Sequence, residues 1–372
     1  MIPNNVKVLH VVHWPKSGIS KLVSNLVCHL DVKFINSIIV FIIEDAVEVE
    51  DIRRMSPNSI VISTDGAVFK SISKLWHIIK KENPDILHSH TLIPIILCTL
   101  LKRNIKHVTT VHGEYPFLSK TNGLLGLKAV IFKFLVRNFC DKVICVSEKI
   151  GHKIEAIGLD KRKVLVINNA IPIRDVSELC HSKKSVRESI GIKDSDFVFI
   201  SVGRLSYEKG YVDLINEFYK AFQLNMDVYL VIIGDGNEKG KLLKIIDEFS
   251  NYSNVKMLGH IYDPYKYLCS SDVYICNSVY EGFGLAIVEA MNCKLPFVST
   301  DVGVVQNIVN ENMSNIVVNN TTQMSQSLLY CYQNRKNMRN IGELNYAIVI
   351  DEFCIEKMAN RYQALYVDLL QH

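Results

Sequence analysis

Residues Ser278–Gln306 read SVYEGFGLAIVEAMNCKLPFVSTDVGVVQ, a glycine-punctuated turn, a short helix and the apolar run of a strand in quick succession. Gly282-Phe283-Gly284 forms the turn, and glycine there lets the backbone approach a ligand closely and take positive φ. The helix that follows points its unpaired N-terminal N–H groups the same way, a site for an anion made of main chain alone. One carboxylate, Glu281, precedes the turn and a second, Glu289, lies inside the helix. Two acids beside an anion cradle make sense for a ligand that carries hydroxyls as well as phosphate.

Outward from this stretch, short Val- and Ile-rich runs alternate with amphipathic segments, the pattern of βα units around parallel sheets. Strands are expected near 6–12, 36–43, 59–63, 85–88, 106–111, 142–146 and 163–167, with helices near 20–30, 70–82, 124–139 and 148–157. A second set of strands is expected near 197–203, 227–233, 254–258, 273–276 and 296–299. The charged run Ser177–Asp196 breaks the rhythm and reads as a linker. The fold class is thus α/β, two Rossmann-like doubly wound domains facing a central cleft. The first spans 1–176, the linker 177–196 and the second 197–350, with a C-terminal helix in 351–372 that packs back on the first domain. Sheets of this kind bind ligands outside the carboxyl ends of their strands.

The 372 residues are 48% apolar and 22% charged, with a net charge of +4, which suits packed domains and gives no footing for nucleic acid as a main partner. The ten cysteines are scattered without a C-x-x-C pair, the usage of buried thiols in a reducing compartment. The N-terminal MIPNNVKVLHVV lacks the basic start of a signal peptide and reads as the first strand. Leu92–Leu101, the longest apolar run, is too short to span a bilayer. A cytoplasmic location, peripheral on the inner membrane face, is the expectation.

In the loop Val202-Gly203-Arg204-Leu205-Ser206-Tyr207-Glu208-Lys209-Gly210, Arg204 and Lys209 can neutralise a diphosphate without a metal. Gly203 there and Gly234 in Gly234-Asp235-Gly236 are expected to line the same nucleotide cleft; the second glycine cluster is one residue out of step for a dinucleotide motif. Asp194-Ser195-Asp196 has a D-x-D form, but it precedes a strand in the charged run and reads as a turn. His88 and His90 end one strand and His112 the next, at the mouth of the first sheet. His112, beside Gly113, carries the most weight. No Cys or Asp completes a zinc set with these histidines, so no metal site is expected. The loop Pro15–Ser20, with Ser17 and Gly18, joins the first strand to the first helix and reads either as a flexible acceptor loop facing the cleft or as an ordinary βα turn with Ser20 capping the helix. The segment Lys120–Lys142, with Leu124, Leu127, Ile131 and Leu135 beside Lys128, Lys133, Arg137 and Lys142, reads either as the packing face of a Rossmann helix or as a surface for an anionic membrane. Packing is the favoured of the two.

These residues carry a resemblance. VGRLSYEKG at 202–210, IIGDG at 232–236, VKMLGHIYDPYKYLCSSDVYICNS from 255 and EGFGLAIVE at 281–289 follow one another as in retaining glycosyltransferases of family 4, the glycosyl transferases group 1, with the GT-B fold. The resemblance implies transfer of a hexosyl group from an NDP-sugar, UDP favoured, to a saccharide or lipid-linked oligosaccharide acceptor in bacterial surface polysaccharide or O-antigen synthesis. Arg204 and Lys209 would hold the diphosphate, Glu289 the ribose hydroxyls, and Glu281 the transferred sugar. The N–H groups of Phe283, Gly284 and Leu285 would meet phosphate or sugar, and His112 would sit beside the donor sugar. Asn169-Ala170 stands where the family often has Asn-Gly. Ser17 replaces the first of a usual glycine pair, and Lys294, Val304 and Gln306 also depart from the pattern. No cofactor is implied beyond the co-substrate. A nucleotide-sugar epimerase or phosphorylase, and a non-catalytic nucleotide-sugar-binding subunit, are the alternatives on the same plan.

Overall fold

A computed structural model of the chain describes residues 5–13, 18–43, 52, 56, 59–64, 69–113, 123–222, 227–249, 254–308, 316–318 and 323–371. Two compact units result: Met1–Pro172 with Cys354–His372, and Ile173–Phe353. In the first, β1 (Val6–His13), β2 (Ile35–Ile43), β3 (Ile60–Ser63), β4 (Ile86–His90), β5 (Lys106–Val111), β6 (Lys142–Cys145) and β7 (Val164–Val166) form a sheet in the order β3-β2-β1-β4-β5-β6-β7. In the second, β8 (Phe197–Val202), β9 (Val228–Ile233), β10 (Val255–Met257), β11 (Val273–Cys276), β12 (Phe297–Thr300) and β13 (Ile316–Val318) follow the order β10-β9-β8-β11-β12-β13. All of these pairings are parallel. The strand order reverses once in each sheet, between β1 and β4 and between β8 and β11, and a crevice opens outside the carboxyl ends of strands at such a point.

Helices cover both faces of a parallel sheet, so its strands read as nearly continuous apolar runs. In the second unit Phe199, Leu214, Ile215, Phe218, Leu230 and Ile275 are buried in one core. In the first, Leu9, Val11, Val40, Ile42 and Leu87 do the same. β4 and β5 break the rule, because His88, Ser89, His90, His107, Thr109 and Thr110 are all buried. Such groups are tolerated in a core only when hydrogen-bonded. The final helix, Ile355–Gln371, belongs to this unit and supplies buried Tyr362 and Tyr366. Tyr366 Oη lies 2.7 Å from His88 Nδ1, and Thr110 Oγ1 lies 2.7 Å from its Nε2. His88 therefore does not sit at the mouth of the sheet, as its place at a strand end suggests, but under this helix, and His90 is buried beside it, with ring centroids 4.2 Å apart.

Leu92–Leu101 forms a helix with Pro94 in its first turn, where its missing N–H costs nothing. Two other sequence expectations change. The expected linker at 177–196 is instead part of the second unit, with short helices Ser177–His181 and Lys183–Ser189. Arg187, 2% exposed, is the reason. Its guanidinium donates to the carbonyls of Ser270, Asp194 and Asp196 and pairs with Asp272 at 2.7 Å. The D-x-D sequence is thereby a turn closed around an arginine, with Asp196 also accepting the Lys193 N–H.

The second change concerns the helix Gly123–Phe139. Phe132 and Val136 are its buried side, whereas Leu127, Val130, Ile131 and Phe134 are 55%, 65%, 39% and 58% exposed. Leu127 and Ile131 thus face outward, away from the packing expected of them. Residues 120–122 and the side chain of Leu124 lie outside the described part of the chain.

Candidate functional site

The two loops flanking the switch point of the second sheet are the ones the sequence singled out. After β8 comes a single 3-10 turn, Tyr207–Lys209, ended by Gly210 at φ 63°. After β11 comes the turn that opens the helix Leu285–Asn292, with Gly284 at φ 95° as its N-cap. Three contacts stitch the loops together. Asn277 Nδ2 donates to the Gly210 carbonyl at 2.8 Å, the Val279 N–H donates to the Glu208 carbonyl at 2.8 Å, and Lys209 Nζ pairs with Glu281 Oε1. A Cβ on Gly210 would lie 2.2 Å from the Asn277 carbonyl oxygen, so only glycine permits this approach.

The structure thus joins two groups that the sequence assigned to separate tasks. Burial alone would lower the Lys209 ammonium, but the adjacent Glu281 carboxylate outweighs it and holds the group above its ordinary value. Ser278 Oγ also donates to Glu281 Oε1, at 2.9 Å. Arg204, by contrast, is exposed and makes no ion pair among the described residues. The loop therefore offers one cation held in place and one available to an incoming anion.

The acid turn is fixed from behind. The Val304 N–H donates to the Phe283 carbonyl at 2.7 Å, and Thr300 Oγ1 to the Ser278 carbonyl at 2.6 Å. Gly303, at φ 57°, packs so closely that a Cβ would come within 2.3 Å of the Phe283 carbonyl oxygen. Phe283 is buried, its ring edge-on to Phe353 at 5.6 Å. Gly284 and Leu285 stand at the helix start, where N–H groups have no intrahelical acceptor. A Cβ on Gly203 would only crowd the Tyr211 hydroxyl at 3.1 Å, whereas Gly234 has a packing reason to be glycine, since a Cβ there would meet the Gly203 carbonyl oxygen at 1.8 Å. The same contact brings the 234–238 loop onto the Arg204 loop, with the Leu205 N–H donating to the Asp235 carbonyl at 3.0 Å.

Glu289 lies on the same short helix, and its neighbours were not legible in the sequence. Burial, reinforced by the charge of Glu289, pushes the Tyr265 hydroxyl far up. The Arg174 guanidinium stacks 4.2 Å from the Tyr265 ring centroid and pairs with Asp263 at 2.7 Å. Arg174 follows the Asn169-Ala170 segment by only a few residues, the one signal that pointed toward it. Lys294, in a place the family often gives to glycine, has φ 60°, so the backbone keeps the left-handed turn without the residue that suits it.

In the first unit, His112 follows β5 and Thr91 follows β4. Thr91 has φ 80° and ψ 168°, a region almost reserved for glycine and strained for a β-branched residue. Thr91 Oγ1 and His112 Nδ1 are buried without a hydrogen-bond partner among the described residues. Strain and unpartnered polar atoms together at strand carboxyl ends mark this as a candidate ligand site. Gly18 begins the first helix and is exposed, while Ser17 lies outside the described residues.

A residue the sequence analysis passed over joins the histidines: His10, on β1. Ring nitrogens of His10, His88 and His90 lie within 4.8 Å of one another, the spacing a metal ion requires. Their hydrogen bonds take those nitrogens instead. Both of His88 face the oxygens of Tyr366 and Thr110, His10 Nδ1 is 3.2 Å from His90 Nε2, and His90 Nδ1 is 2.9 Å from His112 Nε2. As arranged, the rings form a hydrogen-bonded layer.

Parallel sheets with a strand-order switch, a cation loop and an acid-flanked helix start define an α/β protein built to hold an anionic, hydroxylated ligand. Residues 182–347 match the family Glycosyl transferases group 1 and residues 17–175 match Glycosyltransferase Family 4. The chain belongs to this glycosyltransferase family. It is 26% identical over 307 residues to the N-acetyl-alpha-D-glucosaminyl L-malate synthase of Bacillus anthracis, covering 80% of this chain and 78% of the relative. It is 25% identical over 324 residues to the UDP-Gal:alpha-D-GlcNAc-diphosphoundecaprenol alpha-1,3-galactosyltransferase of Escherichia coli, covering 81% and 80%. The crystal structure of Anabaena Alr3699/HepE in complex with UDP and glucose superposes with a TM-score of 0.83 at 18% identity, over 97% of this chain and 99% of that one. That likeness establishes the GT-B fold.

Proposed function

We propose that the protein transfers a hexosyl group from a UDP-sugar to a saccharide acceptor with the anomeric configuration kept, the acceptor being carried on a lipid diphosphate. The observation that carries this reading is the stitched pair of loops after β8 and β11, which sets Lys209 and Glu281 side by side next to an exposed Arg204. Arg204 forks onto the donor diphosphate and Lys209 adds a point charge. The N–H groups of Phe283, Gly284 and Leu285 complete the cradle. Lys209 and Ser278 both bond Oε1 of Glu281, which leaves Oε2 to a hydroxyl of the transferred sugar. Glu289 takes the ribose hydroxyls, and His112 is assigned to a sugar hydroxyl. Gly18 and Ser17 are assigned to the acceptor side.

Both acids are occupied with hydroxyls and a lysine, so neither is free to act as a covalent nucleophile. The bond from the anomeric carbon to the phosphate oxygen breaks while the acceptor oxygen bonds that carbon from the same face. The acceptor's proton passes to the departing phosphate. Catalysis then consists of stabilising the charge that develops on the leaving diphosphate. The cations of the loop supply this, and activity is expected to persist in EDTA.

Relatives support parts of this reading: one is named for a UDP-galactose donor and a diphosphoundecaprenol-linked acceptor, and the Anabaena structure holds UDP and glucose. The test separates the acids. Glu289→Ala should weaken donor binding by roughly 1.5–3 kcal/mol, about 10- to 150-fold in Kd, with turnover less affected. Glu281→Ala should lower turnover as well, because Lys209 loses its partner. Unchanged donor affinity in Glu289→Ala, read by titrating a panel of UDP-sugars, would remove the ribose assignment.

The exposed stripe Leu127, Val130, Ile131 and Phe134, beside Lys128, Lys133 and Arg137, supports a peripheral contact with an anionic membrane at the cytoplasmic face. Among the described residues no helix is long and apolar enough to cross a membrane. Co-sedimentation with vesicles containing phosphatidylglycerol should fall at least tenfold in Phe134→Asp. Equal sedimentation of both proteins would contradict the contact.

A further inference from the structure

His112, His90 and His10 stand in line. His112 Nε2 is 2.9 Å from His90 Nδ1, His90 Nε2 is 3.2 Å from His10 Nδ1, and His10 Nε2 is 3.5 Å from Ser37 Oγ. The line starts after β5, crosses β4 and ends on β2 through β1. Burial pushes His10 and His112 down to about 3 and His90 well below its ordinary value, so all three rings are neutral near pH 7. A neutral imidazole has one N–H and one bare nitrogen. Each ring–ring contact needs one of each, so the three protons have two arrangements and no others. Either every proton sits on Nε2 and points away from the ligand end, or every proton sits on Nδ1 and points toward it.

The ends decide between these. Ser37 is partly exposed and its hydroxyl accepts or donates. His112 Nδ1 is buried with no hydrogen-bond partner among the described residues. A buried N–H left unpaired is rarer and costlier than an acceptor left unpaired. The line therefore runs His112 Nε2–H to His90, His90 Nε2–H to His10, and His10 Nε2–H to Ser37.

We propose that His10 and His90 are positioning residues that fix the tautomer of His112, so that its Nδ1 presents a bare acceptor for the O–H of a hydroxyl on the transferred sugar. The inference rests on the assignment of His112 to that sugar. It adds a specificity rule, because a site built to receive a hydroxyl proton rejects an analogue lacking that hydroxyl. It also explains why three histidines occupy a layer that apolar side chains fill elsewhere in the sheet.

Nitrogen-15 NMR on the full chain with labelled histidine, at pH 7.5, tests it. The wild type should carry the His112 proton on Nε2, with His90 and His10 protonated in the same sense. His10→Phe removes the acceptor for His90, so that either arrangement then leaves one buried N–H unpaired, and the His112 proton should no longer be confined to Nε2 but divide between Nε2 and Nδ1, two strands away. His10→Asn, whose amide oxygen can stand in for the ring Nδ1, should restore it to Nε2. A wild-type His112 protonated on Nδ1 would overturn the proposal, and this measurement needs no variant to fold. So would His10→Phe leaving the His112 tautomer unchanged. Titration of the wild type with whichever of UDP-glucose, UDP-galactose and UDP-N-acetylglucosamine binds then tests the sugar assignment separately. A shift of the His112 Nδ1 resonance supports it, and an unmoved resonance at saturation removes the sugar contact while leaving the tautomer line in place.

Discussion

The first unit should lose most of its stability between pH 6.5 and pH 5, ahead of the second. His10, His88 and His107 are 0% exposed and His90 1%. Desolvation lowers all four: His10 to about 3, His107 to about 4, His88 and His90 well below their usual value. The sign follows from linkage. A histidine whose folded value is depressed binds fewer protons than the unfolded chain, so its neutral state is fully compatible with folding above about pH 6.5. Stability is lost as the pH falls below that and the unfolded chain takes up protons. At pH 5 each such ring costs about 2 kcal/mol, and four cost on the order of 8 kcal/mol. A domain's entire stability is about 5–15 kcal/mol. Both tryptophans of the chain, Trp14 and Trp76, fall in the first unit, so their fluorescence reports it selectively. The denaturation midpoint followed this way should drop sharply from pH 7.5 to pH 5. A midpoint that stays constant would mean that the rings are not held neutral.

Arg204→Ala should slow transfer about a hundredfold or more with little change in stability. The side chain is exposed and its loop is held by other contacts, those of Lys209, Gly210 and Leu205. Its proposed work is done on the leaving diphosphate, and removing one preorganised donor to such a charge costs roughly 3 kcal/mol of barrier. Lys209→Ala should be at least as slow, and it should also release Glu281, so the two variants differ in how donor binding responds. Donor Kd and single-turnover rate, measured in parallel, check this. Arg204→Ala with undiminished turnover would remove the residue from the site.

These expectations draw unequally on sequence and structure. The alternating sheets were legible because parallel strands buried on both faces leave Val- and Ile-rich runs, and the loops at 204–209 and 281–289 because their charges and glycines sit just after such runs. His10 was not legible, since one histidine in VKVLHVVH looks like an ordinary member of an apolar strand until β4 is placed beside it. The salt link between Lys209 and Glu281 depends on β8 and β11 being neighbours, which periodicity does not reveal. Ser177–Asp196 looked like a linker because it is charged, and what organises it is a single buried arginine whose partners lie far along the chain. Gly303 was hidden for a similar reason: its need for no Cβ arises from the Phe283 carbonyl it touches.

The most direct test of the central claim is the anomeric configuration of the product. With the UDP-sugar that binds and a saccharide diphosphate-lipid acceptor, proton NMR of the first-formed glycoside in the presence of EDTA should show the donor's own α-configuration. A β-linked product, or activity abolished by EDTA, would contradict same-face transfer driven by Arg204 and Lys209.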